Sequence, residues 1–219
     1  MLYQHIDPVQ VGNDMRMLVS EMAGRASVEL KGRQLGYELS GDEGKAVIGR
    51  VTDRVKDLEA RGYSFEAADA SFELLLRDEI AGERKRHFTV ESWRVIVEQP
   101  TQGAVTSEAT VRLVAKGERV VAVGEGNGPV NALDRALRSA LEQTFPELAS
   151  LELTDFKVRI LEGSHGTGAI TRVLIESSDG SGESWSTVGV DENVISASWH
   201  ALEEAVTYGL LRSGRDPEA

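Results

Sequence analysis

The chain has 219 residues, enough for one or two domains. Its 36 acidic and 24 basic residues give a formal net charge of -12, which repels phosphate backbones and anionic lipids, so we expect no nucleic acid and no membrane as partners. The sequence contains no cysteine, no apolar run of about 20 residues and no signal-peptide pattern, so we expect a cytoplasmic protein without disulfides or thiolate metal ligands.

Residues 1–82 are interpreted as linker or accessory subdomains, made of an irregular segment and a helical hairpin. Glycines interrupt the apolar stretches of the first 41 residues, which are therefore predicted to be irregular. Helical spacing of apolar residues begins at Lys45, and Gly62 is expected to end that helix as its C′ residue. Ser64 is expected to cap the second helix of the hairpin.

Residues 83–212 are predicted to fold as two pseudo-symmetric β-β-β-α units, at about 83–147 and 150–212. The charged run 78–86 before them is the expected domain boundary. Alternating apolar residues predict three strands in each unit, followed by one helix. The strands are predicted at 89–98, 105–115, 119–123, 156–160, 169–176 and 184–188, and the second helix at 191–211. Helices on one face of antiparallel strands give the α+β class.

The two units are related by a sequence repeat. Residues 123–141 align without a gap on residues 188–206, with Val123 matching Val188, 65 positions later. The other identities are Gly124/Gly189, Ala132/Ala197, Ala136/Ala201, Leu137/Leu202 and Ala140/Ala205. A repeat of this kind indicates one supersecondary unit used twice, and the seam between two such units is a place where ligands and partner chains bind.

The glycine-rich segment 124–128 is predicted to be a turn that leads into the first helix, with Pro129 at its first position. The unpaired N–H groups of that helix start would suit a carboxylate. A tight turn without a ligand is the alternative, and a dinucleotide site is excluded because the context is β-hairpins. The loop 163–168 is interpreted as either a lid over this helix start or an ordinary surface loop.

The residue types needed for catalysis do not form a complete active site. The histidines at positions 5, 87, 165 and 200 are scattered, without metal-ligand spacing or a triad pattern. We therefore expect no metal site and no cofactor in this chain.

Several segments together resemble a known family. The sequences GPVNALDRAL (128–137) and GVDENVISAS (189–198) resemble the C-terminal regulatory, dimer-forming domain of the 2-isopropylmalate and citramalate synthase family. YQHIDPVQVGN (3–13), LVSEMAGRAS (18–27) and GYSFEAADASFELL (62–75) resemble its accessory subdomains. Met22 stands where the isopropylmalate branch has a histidine, so the resemblance is to the citramalate-like branch.

The resemblance implies a regulatory dimer domain within an acyltransferase. Full-length members condense acetyl-CoA with a 2-oxo acid in a metal-dependent TIM barrel, which this chain lacks. The divalent metal and acetyl-CoA would therefore belong to that barrel, and we expect no activity from the chain alone. His5 and Asn13 match positions that reach a partner's active site in the family, and are possible accessory residues.

In the family, an end-product amino acid binds the regulatory domain at its dimer interface and inhibits the barrel. The resemblance assigns effector contacts to two segments, and the helix start and apolar patch of the first unit suit an aliphatic amino acid. The implied effector-binding residues are Gly126, Asn127, Gly128, Pro129, Val130, Asn131, Ala132, Leu133, Leu137, Leu161, Glu162, Gly163, Ser164, His165 and Gly166.

The function indicated first is the effector-binding and dimerisation portion of a citramalate synthase, which condenses acetyl-CoA with pyruvate and is inhibited by isoleucine. Two alternatives remain open: a leucine-sensing portion of a 2-isopropylmalate synthase, and a purely structural dimerisation module. In each case the expected partner is a second copy of the chain.

Overall fold

The computed structural model describes residues 24–161, 168–215 and 217, and it has the predicted α+β architecture. Two three-stranded antiparallel sheets, β1-β2-β3 and β4-β5-β6, are each followed by a helix. The helices are α1 Arg25–Gln34, α2 Gly41–Ala60, α3 Asp69–Ala81, α4 Pro129–Leu141 and α5 Val194–Arg212. The strands are β1 Phe88–Glu98, β2 Thr106–Ala115, β3 Glu118–Gly126, β4 Glu152–Ile160, β5 Thr171–Ser178 and β6 Ser184–Asp191.

The first two helices differ from the prediction at two points. Helix α1 lies within the segment that was expected to be irregular. Helix α2 begins at Gly41, four residues before Lys45, because Asp42 and Glu43 place acidic side chains in its first turn, where the helix dipole favours them. Gly62, with φ +103°, ends α2 as predicted.

The prediction that Ser64 caps a helix is wrong. Helix α3 begins at Asp69, after Ala68. The residues between form a turn that buries Phe65, whose ring packs edge-to-face on Phe72 at 6.2 Å between centroids. Burial of an aromatic ring therefore takes precedence over the local capping signal at Ser64.

The glycine-rich segment 124–128 is not a turn throughout, since β3 continues to Gly126. Gly124 lies where α4 crosses the sheet, and a Cβ there would be 2.4 Å from the backbone N of Ala136. Gly189 has the same place under α5, where a Cβ would be 2.0 Å from the carbonyl oxygen of Ala197. Each helix therefore packs directly on a strand glycine, which only a residue without a side chain permits.

Helix α5, the helix of the second β-β-β-α unit, also begins later than predicted. Asp191 is the last residue of β6, and α5 starts at Val194 with Asn193 as its N-cap. The first helix starts at Pro129 as predicted.

The two sheets differ in what covers their outer faces. One core lies between the sheets and includes α4 and α5. A second core joins the helical part to the other face of the second sheet, through Val188 and Val190. On the first sheet, Val123, the counterpart of Val188, and Val121 on the same face are about half exposed, at 53% and 51%.

Polar contacts join α3 to the second unit. The carboxylate of Glu73 accepts hydrogen bonds from the hydroxyls of Tyr37 (3.2 Å) and Tyr208 (2.7 Å). Burial, reinforced by the Glu73 charge, raises the pKa of Tyr37 to about 12. Ser71 donates to Glu204 of α5 at 2.5 Å and accepts from the backbone N–H of Val188 at 2.9 Å. These bonds connect α3 with both α5 and β6.

We expect Gly124→Ala and Gly189→Ala each to destabilise the chain by about 3 kcal/mol, because the added methyl would push the helix off the strand. Gly49→Ala is the matched control: it lies within α2, and its Cβ would meet only the Arg25 side chain, at 4.0 Å. That substitution should stabilise by about 0.5–1 kcal/mol. Urea unfolding measures all three, and equal effects at the three positions would contradict the close packing.

We expect Glu204→Gln to change the pH dependence of stability. Burial raises the pKa of Glu204 from 4.5 to about 7, against the smaller lowering effect of the Ser71 hydrogen bond. Protonated Glu204 therefore makes a contribution to the folding stability that is fully present below pH 4.5 and is lost as pH rises through about 7. The loss is at most about 3 kcal/mol, and Glu204→Gln should lack it.

Urea unfolding of both proteins between pH 5 and 8 measures the difference, since other carboxylates titrate equally in each. Charged groups around Glu204 are Arg84, which lowers its pKa, and Glu203 and Asp78, which raise it. A constant stability difference across this range would show that Glu204 does not titrate there.

Candidate functional site

The start of α4 carries backbone N–H groups that the described residues leave open. Gly128 is its N-cap, in an extended conformation, and has no side chain that could accept a hydrogen bond. Within the described part of the chain, no acceptor pairs with the N–H groups of Val130 and Asn131. The Asn131 side chain instead accepts from the backbone N–H of Asn127 at 3.4 Å. This helix end can therefore accept an anion.

The equivalent groups at the start of α5 are already occupied. Asn193 lies 65 positions after Gly128, and its side-chain oxygen accepts from Ile195 N at 2.8 Å and Ser196 N at 3.4 Å. Ile195 and Ser196 are the repeat counterparts of Val130 and Asn131. One helix start is thus capped by its own chain and the other is open.

The open helix start lies at one end of a cavity of about 610 Å³, between α4 and β4. This volume is within the range of small-molecule sites. Five sequence-predicted effector residues line it together. The cavity is lined by Asn127, Gly128, Pro129, Val130, Asn131, Asp134, Arg138, Glu142, Leu148, Ala149, Leu151, Glu152, Leu153 and Phe156.

Several other residues assigned to the site are not at this cavity. Leu133, Leu137 and Ala132 are fully buried in the core between the sheets. Gly126 lies at the end of β3, where a Cβ would be 2.5 Å from the backbone N of Ala132. The apolar wall of the cavity is formed instead by Val130, at the edge of the core-facing side of α4, and by residues of β4 and of the segment before β4.

The predicted loop contacts are only partly visible. Leu161 lies beside Gly62, away from the α4 start, and its N–H donates to Ile170 O at 2.9 Å. Residues 162–166 lie outside the described residues, as do His5 and Asn13. The assignment of these residues stays a prediction.

The fold has two equivalent seams. One lies between β4 and α4 and contains the cavity, and the other lies between β1 and α5 and is filled by side chains. Trp93 of β1 lies opposite Val111 and in the same row as Ala122. Its ring stacks on Trp199 of α5, with centroids 5.7 Å apart. Two tryptophans therefore close the seam between the first sheet and the second helix.

The strand registers give the counterparts of these tryptophans. Phe156 of β4 lies opposite Ile175 and in the same row as Thr187, which is 65 positions after Ala122. Phe156 is thus the counterpart of Trp93, and Asp134 is the counterpart of Trp199. A smaller ring and a short carboxylate leave the space that the tryptophans fill. The sequence repeat aligns Asp134 with Trp199, but it does not relate Phe156 to Trp93, because β1 and β4 fall outside it.

Asp134 and Arg138 provide the charge inside the cavity. Asp134 Oδ1 accepts from Arg138 Nε at 2.8 Å, and both side chains are about 15% exposed, at 14% and 15%. Arg138 also donates to the carbonyl oxygen of Leu151, which ties α4 to the segment before β4. The cavity thus has an anion-accepting end at Val130, a carboxylate one helical turn further on and an apolar wall.

Exposed apolar side chains continue from the cavity along the edge strand. Phe156, Val158 and Ile160 alternate along β4 and are 37%, 47% and 63% exposed. Such a row beside an open strand edge is typical of a surface that pairs with another chain.

Within residues 24–161, 168–215 and 217, no group of three His, Asp or Glu side chains is placed to hold a metal ion. Over the same ranges, no helix combines the length and apolar character needed to cross a bilayer.

Comparison with known proteins identifies the domain. The family model for the LeuA allosteric (dimerisation) domain matches residues 66–210. The (R)-citramalate synthase of Streptomyces coelicolor is 66% identical over 216 residues, which is 99% of this chain and 40% of that protein. The (R)-citramalate synthase of Aquifex aeolicus is 46% identical over 211 residues, 96% of this chain and 39% of that protein.

A probable 2-isopropylmalate synthase of Methanopyrus kandleri is 28% identical over 214 residues, 98% of this chain and 40% of that protein. The chain thus spans about 40% of the length of the curated relatives it matches. The resemblance indicated by the sequence motifs, including its citramalate-like branch, is confirmed.

Proposed function

Because this chain belongs to the LeuA allosteric (dimerisation) domain family, we propose that it is the effector-binding and dimerisation portion of a citramalate synthase-like acyltransferase. The complete enzyme would condense acetyl-CoA with pyruvate, and isoleucine would inhibit it as the end product. The (R)-citramalate synthases at 66% and 46% identity support this choice of enzyme.

The observation that carries the proposal is the difference between the two helix starts. Asn193 occupies the N–H groups of α5, whereas Gly128 leaves those of Val130 and Asn131 open toward a cavity. We assign the α-carboxylate of the effector to these two N–H groups, where the helix dipole adds to the hydrogen bonds.

The remaining parts of an aliphatic amino acid fit the same cavity. Its ammonium group would pair with the second carboxylate oxygen of Asp134, since Oδ1 already accepts from Arg138. Its side chain would pack on Val130, Leu153 and Phe156. A branched side chain fits this wall, and isoleucine is the effector that the citramalate branch favours; a leucine-sensing site of the isopropylmalate type is the alternative.

We propose that the chain acts as a homodimer. The domain family is a dimerisation domain, and a second copy would cover the exposed row Phe156, Val158 and Ile160 beside the cavity. The effector would then bind one arrangement of the two protomers more tightly than another, and that difference in affinity would be the regulatory signal. The same apolar row would serve equally in the alternative, a structural dimerisation module without an effector.

We expect Gly128→Asn to weaken isoleucine binding about tenfold, because the new side chain would cap Val130 and Asn131 as Asn193 caps α5. The space beside Gly128 is free, so the substitution fits the fold. Isothermal titration of the 219-residue chain with isoleucine, leucine and valine measures the affinities.

Asn193→Ala is the matched control, since it uncaps α5 at a cost of about 1 kcal/mol of stability without touching the cavity. Its isoleucine affinity should equal that of the unmodified chain. Light scattering should show a dimer in all three proteins. If none of the three amino acids binds the unmodified dimer at millimolar concentration, the chain is a structural module and effector sensing is excluded.

A further inference from the structure

A second cavity, of about 600 Å³, lies where the helical part meets α5. Its walls come from α2, α3, the connector after α3, and α5, so it is separate from the cavity at the α4 start. We call it the junction cavity. It is lined by Arg54, Leu58, Arg61, Tyr63, Phe65, Ser71, Leu74, Leu75, Asp78, Glu79, Gly82, Glu83, Arg84, Arg86, His200, Glu203 and Glu204.

Glu204 is a carboxylate of this cavity that makes no direct ion pair within the described residues, although the more distant Arg84 charge acts on it. Its Oε2 accepts from Ser71, at 2.5 Å. Among the described residues, no basic side chain lies within 4 Å of it, and apolar side chains such as Phe65 and Leu75 line the same cavity. A carboxylate in such surroundings is stabilised by a proton or by a cation that enters the cavity.

Most arginines that line the same cavity have no ion-pair partner among the described residues. Within the described ranges, Arg54, Arg61 and Arg86 have no acidic partner within 4 Å, whereas Arg84 lies 3.8 Å from Asp78. Guanidinium groups with free donors at a cavity mouth are suited to carboxylates, which they bind with two parallel hydrogen bonds.

The charges of the lining decide the class of ligand. A simple cation would meet four arginines, and a simple anion would meet the carboxylates of α3, the connector and α5. A molecule with one ammonium and one carboxylate group satisfies both sets. An α-amino acid has this charge pattern, and the apolar side chains of Leu58, Phe65 and Leu75 would accommodate its side chain.

We propose that the junction cavity binds a free α-amino acid, with its ammonium group on Glu204 and its carboxylate on Arg54 of α2 and on Arg61, which directly follows that helix. The bound molecule would connect α2, α3 and α5, and would thereby fix the helical part against the second β-β-β-α unit. This site is independent of the effector site proposed at α4.

The test uses the Gly128→Asn chain, in which the α4 site is weakened, and titrates it calorimetrically with each of the twenty common amino acids. At least one amino acid should bind. The double variant Gly128→Asn/Glu204→Gln should bind it at least tenfold more weakly. Glu192→Gln, in the loop before α5 and outside the junction cavity, removes the same charge as a control and should leave the affinity within twofold.

The two charged groups are tested separately with analogues of the amino acid that binds, one without its amine and one without its carboxylate. Each should bind at least tenfold more weakly than the amino acid. An amine that binds as tightly as the amino acid would overturn the zwitterion assignment.

Unchanged affinity in the Glu204→Gln double variant would overturn the proposed site. The site would also be overturned if the unmodified chain bound isoleucine but the Gly128→Asn chain bound none of the twenty amino acids. The latter result would leave the α4 effector site intact. If no amino acid binds the unmodified chain, both sites fail.

Discussion

The structure depends on one close contact that occurs twice. In each β-β-β-α unit, the helix crosses its third strand at a glycine, Gly124 or Gly189, so closely that a Cβ there would overlap the helix backbone. Alanines at the facing helix positions keep the distance short. This contact explains which residues the repeat preserves: the glycine and the alanines are identical, while most positions on the solvent side differ.

The same scaffold then carries different residues at three pairs of positions. Asn193 caps its helix, and Gly128 does not. Trp93 and Trp199 fill one seam, and their counterparts Phe156 and Asp134 leave the other open. An uncapped helix start and an apolar wall therefore come together in one seam only. The covered outer face of the second sheet adds a further difference, because it places the helical part next to α5 and creates the junction cavity.

Features that depend on local sequence could be predicted. Alternating residues located the strands, and Pro129 and Gly62 fixed a helix start and a helix end. Features that depend on tertiary contacts could not. Leu133 and Leu137 fit an apolar ligand patch in sequence, yet the contact of α4 with the sheet buries both. Ser64 has the chemistry of a cap, but a turn that buries Phe65 intervenes, and α3 begins only at Asp69.

The role of Asp134 was only half visible in the sequence, because the aligned repeat places it opposite Trp199. Phe156, which lines the same cavity, was identified as the counterpart of Trp93 only by strand register, because the sequence repeat does not extend to β1 and β4. Glu204 gave no signal in the sequence: a glutamate on a long helix is usually solvated, and only the packing of α3 on α5 partly buries it.

The central claim is that the open seam between α4 and β4 is the effector site because it lacks the tryptophan pair of the other seam. The double variant Asp134→Trp/Phe156→Trp would copy that pair into the open seam. Calorimetric titration of the variant dimer with isoleucine should show no binding at the α4 site, with circular dichroism and light scattering unchanged. Isoleucine affinity equal to that of the unmodified chain would contradict the account.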